Sequence, residues 1–336
     1  MKRSILGLMY LIAGMRQLQI PVDERLKSIG LNVSTFDPSS LIHPNLEFEI
    51  LKVVAADVEP ELGLDIGQHY ALAGYGPLLM LLLTSASVEV ALQSAIDFQV
   101  LTHLSGKLSI KRTQGSIALE YDPKAQSDRL SLFRAQCEVS GTLKFLQDIH
   151  VMAGLSFPQI RVELPFSKPM QANKLEQFYQ YYGQNLFFDC DQARFVFNDS
   201  IIDIKIPSSD AISFNLYQSK CEIEIERFKE DDVLENNIVE QVREFMEIQL
   251  GAFPSMSQTA KALNLPERTL RHQLQQQNTS YSQIREKLIQ SKALKMINEN
   301  TYSIEQIAEI LGYSEPAAFN HAFKRWFGHS PRQFRK

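Results

Sequence analysis

Ser255-Met256-Ser257-Gln258-Thr259-Ala260-Lys261-Ala262-Leu263-Asn264-Leu265 is answered, 48 residues later, by Ser303-Ile304-Glu305-Gln306-Ile307-Ala308-Glu309-Ile310-Leu311-Gly312-Tyr313. Both stretches open on Ser-x-x-Gln, a capping box whose two side chains satisfy free backbone N–H groups at a helix start. Small Ala260 matches Ala308, and Leu263 matches Leu311. Asn264 then matches Gly312, the residue types that best tolerate the left-handed conformation ending a helix. Leu265 and Tyr313 supply the apolar side chain that packs back on such a turn. A second helix is expected in each copy, over 267–277 and 315–327. Its Leu270 and Leu274 answer Phe319 and Phe323 at an offset of 49, so one residue is inserted in the second copy.

Helix, tight turn and second helix form the helix-turn-helix plan. The alanines suit it, because two helices crossing steeply need a short side chain at closest approach. In such a unit the second helix enters the major groove of DNA. A long helix joins the copies, with Tyr281, Ile284, Leu288, Ile289, Ala293, Met296 and Ile297 as its expected buried side. It would hold two readers about one DNA turn apart, roughly 34 Å. Charge agrees. Residues 251–336 carry twelve basic against six acidic side chains, a net +6, while the rest of the chain carries 22 against 33, a net −11.

Working outward, 336 residues suit two domains, and a 44% apolar content supplies real cores. Cys137, Cys190 and Cys221 form no CxxC pair, which argues against a disulfide scaffold and fits a reducing cytoplasm. The start, Met1-Lys2-Arg3 and an apolar run to Gly14, imitates a secretion signal. The run continues into Leu18, Ile20, Val22 and Leu26, so a core helix is the better expectation. The apolar run 78–83 is far too short to span a membrane. Helical periodicity occupies 46–58, 87–101, 130–152 and 175–182. Alternation over 106–121, around a Gln114-Gly115 turn, predicts a hairpin, with further strands over 158–164 and 193–197. The fold class expected is an α+β N-terminal domain plus an all-α C-terminal domain with two helix-turn-helix units. Its boundaries are 1–225 for effector binding or dimerisation, 226–237 for a charged linker, and 238–336 for DNA binding.

The closing stretch resembles the AraC/XylS family of transcription regulators over about 100 residues. The resemblance is carried by 307–319, by Ala322-Phe323-Lys324-Arg325-Trp326-Phe327-Gly328, and by Ser330-Pro331-Arg332-Gln333-Phe334-Arg335. More weakly, the N-terminal part resembles the effector-binding domain of the ornithine-utilisation-type relatives in that family. Leu62-Gly63-Leu64-Asp65-Ile66-Gly67, Gly74-Tyr75-Gly76-Pro77-Leu78, 85–92, and Tyr182-Gly183 leading to Phe195-Val196-Phe197 carry that similarity. The resemblance implies a non-enzymatic activator or repressor, and not the cupin barrel of sugar-responsive members. It places DNA contacts on Arg268, Thr269, Arg271, His272 and Gln275 in the first reader, and on Ala317, Asn320, His321 and Lys324 in the second. Arginine grips guanine through two hydrogen bonds, and asparagine reads adenine. Ala317 offers only a methyl to thymine. His272 and His321 stand where the family usually has arginine, which gives up the guanidinium fork. Protonation of these rings predicts DNA affinity that rises as pH falls. Specificity is therefore expected to lean on the first reader. Lys324, Arg325, Arg332, Arg335 and Lys336 suit phosphate contacts, and Trp326, Phe327 and Phe334 suit packing.

Enzyme signatures are missing. His43, His69, His103, His150 and His329 make no HExxH or short metal-ligand spacing, and neither a GxSxG nor a Walker loop occurs. Gly74-Tyr75-Gly76 reads as a turn rather than a dinucleotide loop, and Cys190 between Asp189 and Asp191 is a poor setting for a thiolate. No catalytic residue, metal or cofactor is assigned. The apolar run 78–83 and the aromatic cluster Phe178, Tyr179, Tyr181 and Tyr182 fit a pocket or, more commonly, core. Effector-binding residues are not identifiable, and the acidic excess is compatible with a cationic effector. The partners expected are promoter DNA, a small-molecule effector, a second copy of the chain and, for an activator, RNA polymerase. The competing reading is control by a protein partner or by oligomerisation alone.

Overall fold

The computed structural model describes residues 2–123, 128–230, 237–251 and 253–335. Two compact units emerge: Met1–Ile20 with Ala55–Asp231, and Pro21–Val54 with Asp232–Lys336.

The first unit is built of helices and one mixed sheet. Its opening helix, Leu6–Gln17, is the core helix expected, with Leu8, Leu11, Ile12 and Met15 fully buried. The stripe does not run on to Leu26, however. Gln19 is left-handed and Pro21 follows, so the chain breaks there, and Val22 and Leu26 belong to a separate helix, Val22–Ser28. The hairpin forms with Gln114-Gly115 at its tip, pairing Leu108 with Tyr121 and Thr113 with Ser116. The strand Ala193–Asn198 pairs antiparallel with both Ser116–Asp122 and Arg161–Glu163, and Leu186–Phe187 closes the sheet in parallel.

The long helix Arg129–Met152 starts on Asp128, whose carboxylate accepts from the Leu130 and Ser131 N–H groups. The short helix Gly63–Gly67 packs against it so closely that a Cβ at Gly67 would lie 2.1 Å from the Cys137 carbonyl oxygen. Only glycine fits there. Glu138 is buried on the same long helix and is compensated by Arg134 Nε at 2.9 Å, Ser105 N at 2.8 Å, Ser105 Oγ at 3.0 Å and the Tyr121 hydroxyl. The helix Pro77–Thr84, buried almost throughout, packs against the helix Ala211–Glu230. The charged stretch expected as a linker over 226–237 is helical as far as Glu230, and 231–236 lie outside the described residues. Phe178 and Tyr182 are core, as the commoner reading of the aromatic cluster held.

The second unit is helical, and it holds one segment that sequence reading placed elsewhere. Residues 21–54, with the helices Val22–Ser28 and Pro44–Val54, pack with the C-terminal part rather than with the rest of 1–225. The reason is a set of contacts more than 200 residues apart in sequence. Buried Gln249 accepts from Asn32 N at 3.0 Å and Thr35 Oγ1 at 2.9 Å, and its amide donates to the Gly30 carbonyl at 3.0 Å. Leu250 N donates to Thr35 O at 2.7 Å, Asp37 N donates to Ile248 O at 2.8 Å, and buried Glu244 accepts from His43 N. Among the described residues, no helix is long and apolar enough to cross a membrane.

Candidate nucleic-acid interface

Both capping boxes form. Ser255 and Gln258, and Ser303 and Gln306, exchange side-chain to backbone hydrogen bonds at the starts of Met256–Ala262 and Ile304–Ile310. The turns that follow are the same motif. Asn264 and Gly312 are left-handed, at φ 54° and 81°. Leu265 N donates to Ala260 O and Tyr313 N to Ala308 O, both at 2.9 Å, while Asn264 N reaches Lys261 O and Gly312 N reaches Glu309 O. Ala260 and Ala308 are buried where the helices meet. The recognition helices are Glu267–Gln276 and Pro316–Phe327.

The repeat extends further than sequence reading took it. Asn278 (φ 54°) ends the first recognition helix and Gly328 (φ 77°) the second. Ser280 and Ser330, fifty residues apart, then each accept a bond from the backbone of a glutamine, Gln283 or Gln333, opening a third helix. In the first copy that helix is Tyr281–Glu299, which joins the two readers. Its Ile284 and Leu288 pack with Val242, Met246, Leu270 and Leu274. Its Ile289, Ala293, Met296 and Ile297 pack with Ile307, Leu311, Phe319 and Phe323. The expected stripe is therefore the spine of both cores, and Phe253 packs against each.

The side chains offered to solvent differ. On the first recognition helix Arg268, Arg271, His272 and Gln275 are exposed and Thr269 is half-buried. Arg271 Nη2 is held 2.8 Å from Glu267 Oε1, one turn back, so it must exchange that carboxylate for DNA. On the second helix Ala317, His321 and Lys324 are exposed. Asn320 is half-buried, and its amide already donates to the Pro316 carbonyl at 3.0 Å. Arg325 is not a free phosphate contact. It pairs at 2.8 Å with Glu286 of the joining helix, which also accepts from Trp326 Nε1 at 2.9 Å. These partners hold the Glu286 carboxyl below the usual glutamate range, the Trp326 hydrogen bond foremost. Arg335 donates to the Tyr302 carbonyl, Arg332 is exposed, and Lys336 lies outside the described residues. Trp326 and Phe327 pack on the second core, and Phe334 lies against the Phe323 and Phe327 rings.

The Glu267–Arg271 pair was readable as an i,i+4 spacing. Nothing local signals Glu286 with Arg325, 39 residues apart.

The first unit contains a cavity of about 100 Å³ bounded by the helices Pro77–Thr84, Val88–Asp97 and Arg129–Met152 and by the hairpin. Leu78, Leu82 and Leu83 of the expected apolar run line it. Of the aromatic cluster, Tyr181 and Tyr182 instead border a separate, open hollow beside Gly183. Cys137 and Cys221 are buried and Cys190 half-buried. Burial pushes the Cys221 thiol up to about 12 and raises the other two.

Two family models match the chain: a helix-turn-helix domain over residues 259–336, and the N-terminal arabinose-binding domain of AraC transcription regulators over residues 20–206. The ornithine utilization regulator of Pseudomonas aeruginosa is 23% identical over 279 residues, 83% of this chain and 79% of that protein. The HTH-type transcriptional regulator VqsM of the same organism is 24% identical over 301 residues, 84% of this chain and 86% of that one. The HTH-type transcriptional activator CfaD of Escherichia coli is 35% identical over 95 residues, 28% of this chain and 36% of that protein. The N-terminal match spans more than half of the chain and the C-terminal match falls on the duplicated readers. The chain therefore belongs to the AraC family of DNA-binding transcription regulators.

Proposed function

We propose that the chain binds promoter DNA as a homodimer and is controlled by a small molecule held in the N-terminal unit. Base readout rests on Arg268 and Arg271, with Thr269, His272 and Gln275 beside them. The second reader contributes Ala317, Asn320 and His321, with Lys324 and Arg332 on phosphates. Arg325 instead braces the reader through Glu286.

The observation that carries effector control is the wiring around the cavity. The helix Pro77–Thr84 forms part of its wall and packs against the helix Ala211–Glu230. The Ser208 hydroxyl donates to Leu83 O at 2.6 Å, and Asp210 N donates to Thr84 O at 3.1 Å, where the second helix begins. Along Ala211–Glu230, Ile212, Leu216 and Ile223 are 81%, 51% and 68% exposed. With Ser219 they follow a 4-3-4 spacing, the seam of a two-helix pairing. A second copy of the same helix is the occupant we assign to it. A ligand that moves Pro77–Thr84 would alter this seam, and differential affinity of a few kcal/mol suffices for such a population shift.

As an activator, the dimer would also meet RNA polymerase. Its DNA-reading part is similar to that of a protein named as an activator.

The test measures DNA affinity and sedimentation of the full chain, with and without the sub-kilodalton fraction of a cell extract. The expected results are a dimer that Leu216→Asp converts to monomer, and an affinity that changes with the extract. A wild-type monomer on DNA, or unchanged affinity, contradicts the corresponding half of the proposal.

A further inference from the structure

The cavity in the first unit has a chemistry that narrows its ligand. Its wall carries no Asp, Glu, Lys or Arg. An ammonium or carboxylate placed there would lose its hydration with no opposite charge to replace it. The net acidity of the N-terminal part thus does not describe this site. Two threonine hydroxyls reach the wall, but both donate to backbone carbonyls: Thr142 to Glu138 O at 2.7 Å and Thr102 to Gln99 O at 2.6 Å.

His150 is the exception. It lines the cavity, it is buried, and its Nδ1 lies 2.7 Å from the Leu146 carbonyl oxygen. A carbonyl only accepts, so Nδ1 carries the proton. The neutral ring then presents Nε2 as a bare acceptor. Burial favours that neutral form. Nε2 is buried with no hydrogen-bond partner, alone in this respect among the cavity-lining side chains of the described residues. A buried acceptor left unmatched is costly, and a donor supplied by a ligand would relieve it.

Size sets the other limit. An apolar protein cavity of about 150 Å³ holds benzene. One of about 100 Å³ with mobile aliphatic walls takes a molecule of ring size at most.

We propose that this cavity binds an uncharged, apolar, ring-sized molecule carrying a single hydroxyl or N–H donor, with that donor on His150 Nε2. The proposal rests on the effector reading above and names its ligand class. The ligand's body replaces water against Leu82, Leu92, Phe145 and Ile149, and its donor fixes its orientation. Specificity comes from the one acceptor, because an isostere without the donor fills the same space but leaves Nε2 unmatched.

Phenol and toluene test this, since they share a shape and differ by the hydroxyl. Their affinities for the full chain at neutral pH follow from thermal shifts over a concentration series. The expected result is millimolar or tighter binding of both. His150→Leu removes the acceptor at similar volume and should weaken phenol about tenfold or more while leaving toluene within about threefold. Ala95→Leu, which fills the cavity and spares His150, should abolish both shifts. Binding of neither probe by the wild type, equal weakening of both by His150→Leu, or phenol binding that survives Ala95→Leu overturns the proposal. The extract fraction separates this failure from that of the effector reading. If it alters DNA affinity equally in wild type and Ala95→Leu, effector control stands and this cavity is not its site. No response from the wild type removes both.

Discussion

The two DNA readers share every backbone device and diverge in the chemistry they expose. Each opens on a Ser-x-x-Gln box, turns on one left-handed residue, ends its recognition helix on another and restarts on serine. On that common frame the first reader presents two arginines, whereas the second presents an alanine, an asparagine tied to its own helix and an arginine tied to Glu286. Duplication therefore preserved what folding demands and left the groove-facing positions free to change. Capping and turning leave few alternatives at a given position, while an exposed helix face tolerates almost any polar residue.

The largest expected break in this comparison is at Arg271. Arg271→Ala should cost about 1–3 kcal/mol of DNA binding, a loss of roughly five- to hundredfold, with relaxed sequence preference. Asn320→Ala, at the corresponding face of the second reader, should lose no more than about threefold, because its amide already has the Pro316 carbonyl. Competition gel shifts against mutated sites measure both.

The turns offer a stability counterpart. Gly312→Ala should destabilise the second reader by about 1 kcal/mol, the cost of a Cβ in left-handed backbone. Gly312→Asn should cost less than half of that, because Asn264 serves in the same place in the first reader. Thermal melts of the two variants decide it.

Smaller still is the effect of Glu267. Glu267→Gln frees Arg271 from an exposed ion pair and should tighten DNA binding about twofold, most visibly at low salt. The second reader has no acidic residue in the first turn of its recognition helix, so no equivalent variant exists there.

The last difference is pH-dependent. Glu286 titrates below its ordinary value, so its bonds to Trp326 and Arg325 are intact above that value and lost as pH falls through the lowered one. Hydrogen exchange between pH 5 and pH 3 should show the second reader loosening before the first, and Glu286→Gln should remove the difference.

Legibility in the sequence followed the distance over which each feature is written. Caps, turns, the joining stripe and the hairpin occupy contiguous residues, and each was readable. The third helix start of the repeat was equally local, but its offset had grown to fifty, so a search at fixed spacing passes over it. Residues 21–54 read as part of the N-terminal domain because their ties run to Gln249 and Leu250, which no local pattern records. The recognition residues were readable by position, yet not the partners that restrain Arg325 and Asn320. The cavity wall draws residues from Tyr75 to Ile206, and His150 gave no sign in sequence beyond being a lone histidine on a helix.

One measurement tests the central claim, that two equally built readers contribute unequally to recognition. The full chain, Arg271→Ala and Asn320→Ala are titrated onto the chain's own upstream DNA at two salt concentrations. The account predicts tight, salt-dependent binding that Arg271→Ala weakens at least fivefold more than Asn320→Ala. Equal losses, or a greater loss from Asn320→Ala, would contradict it.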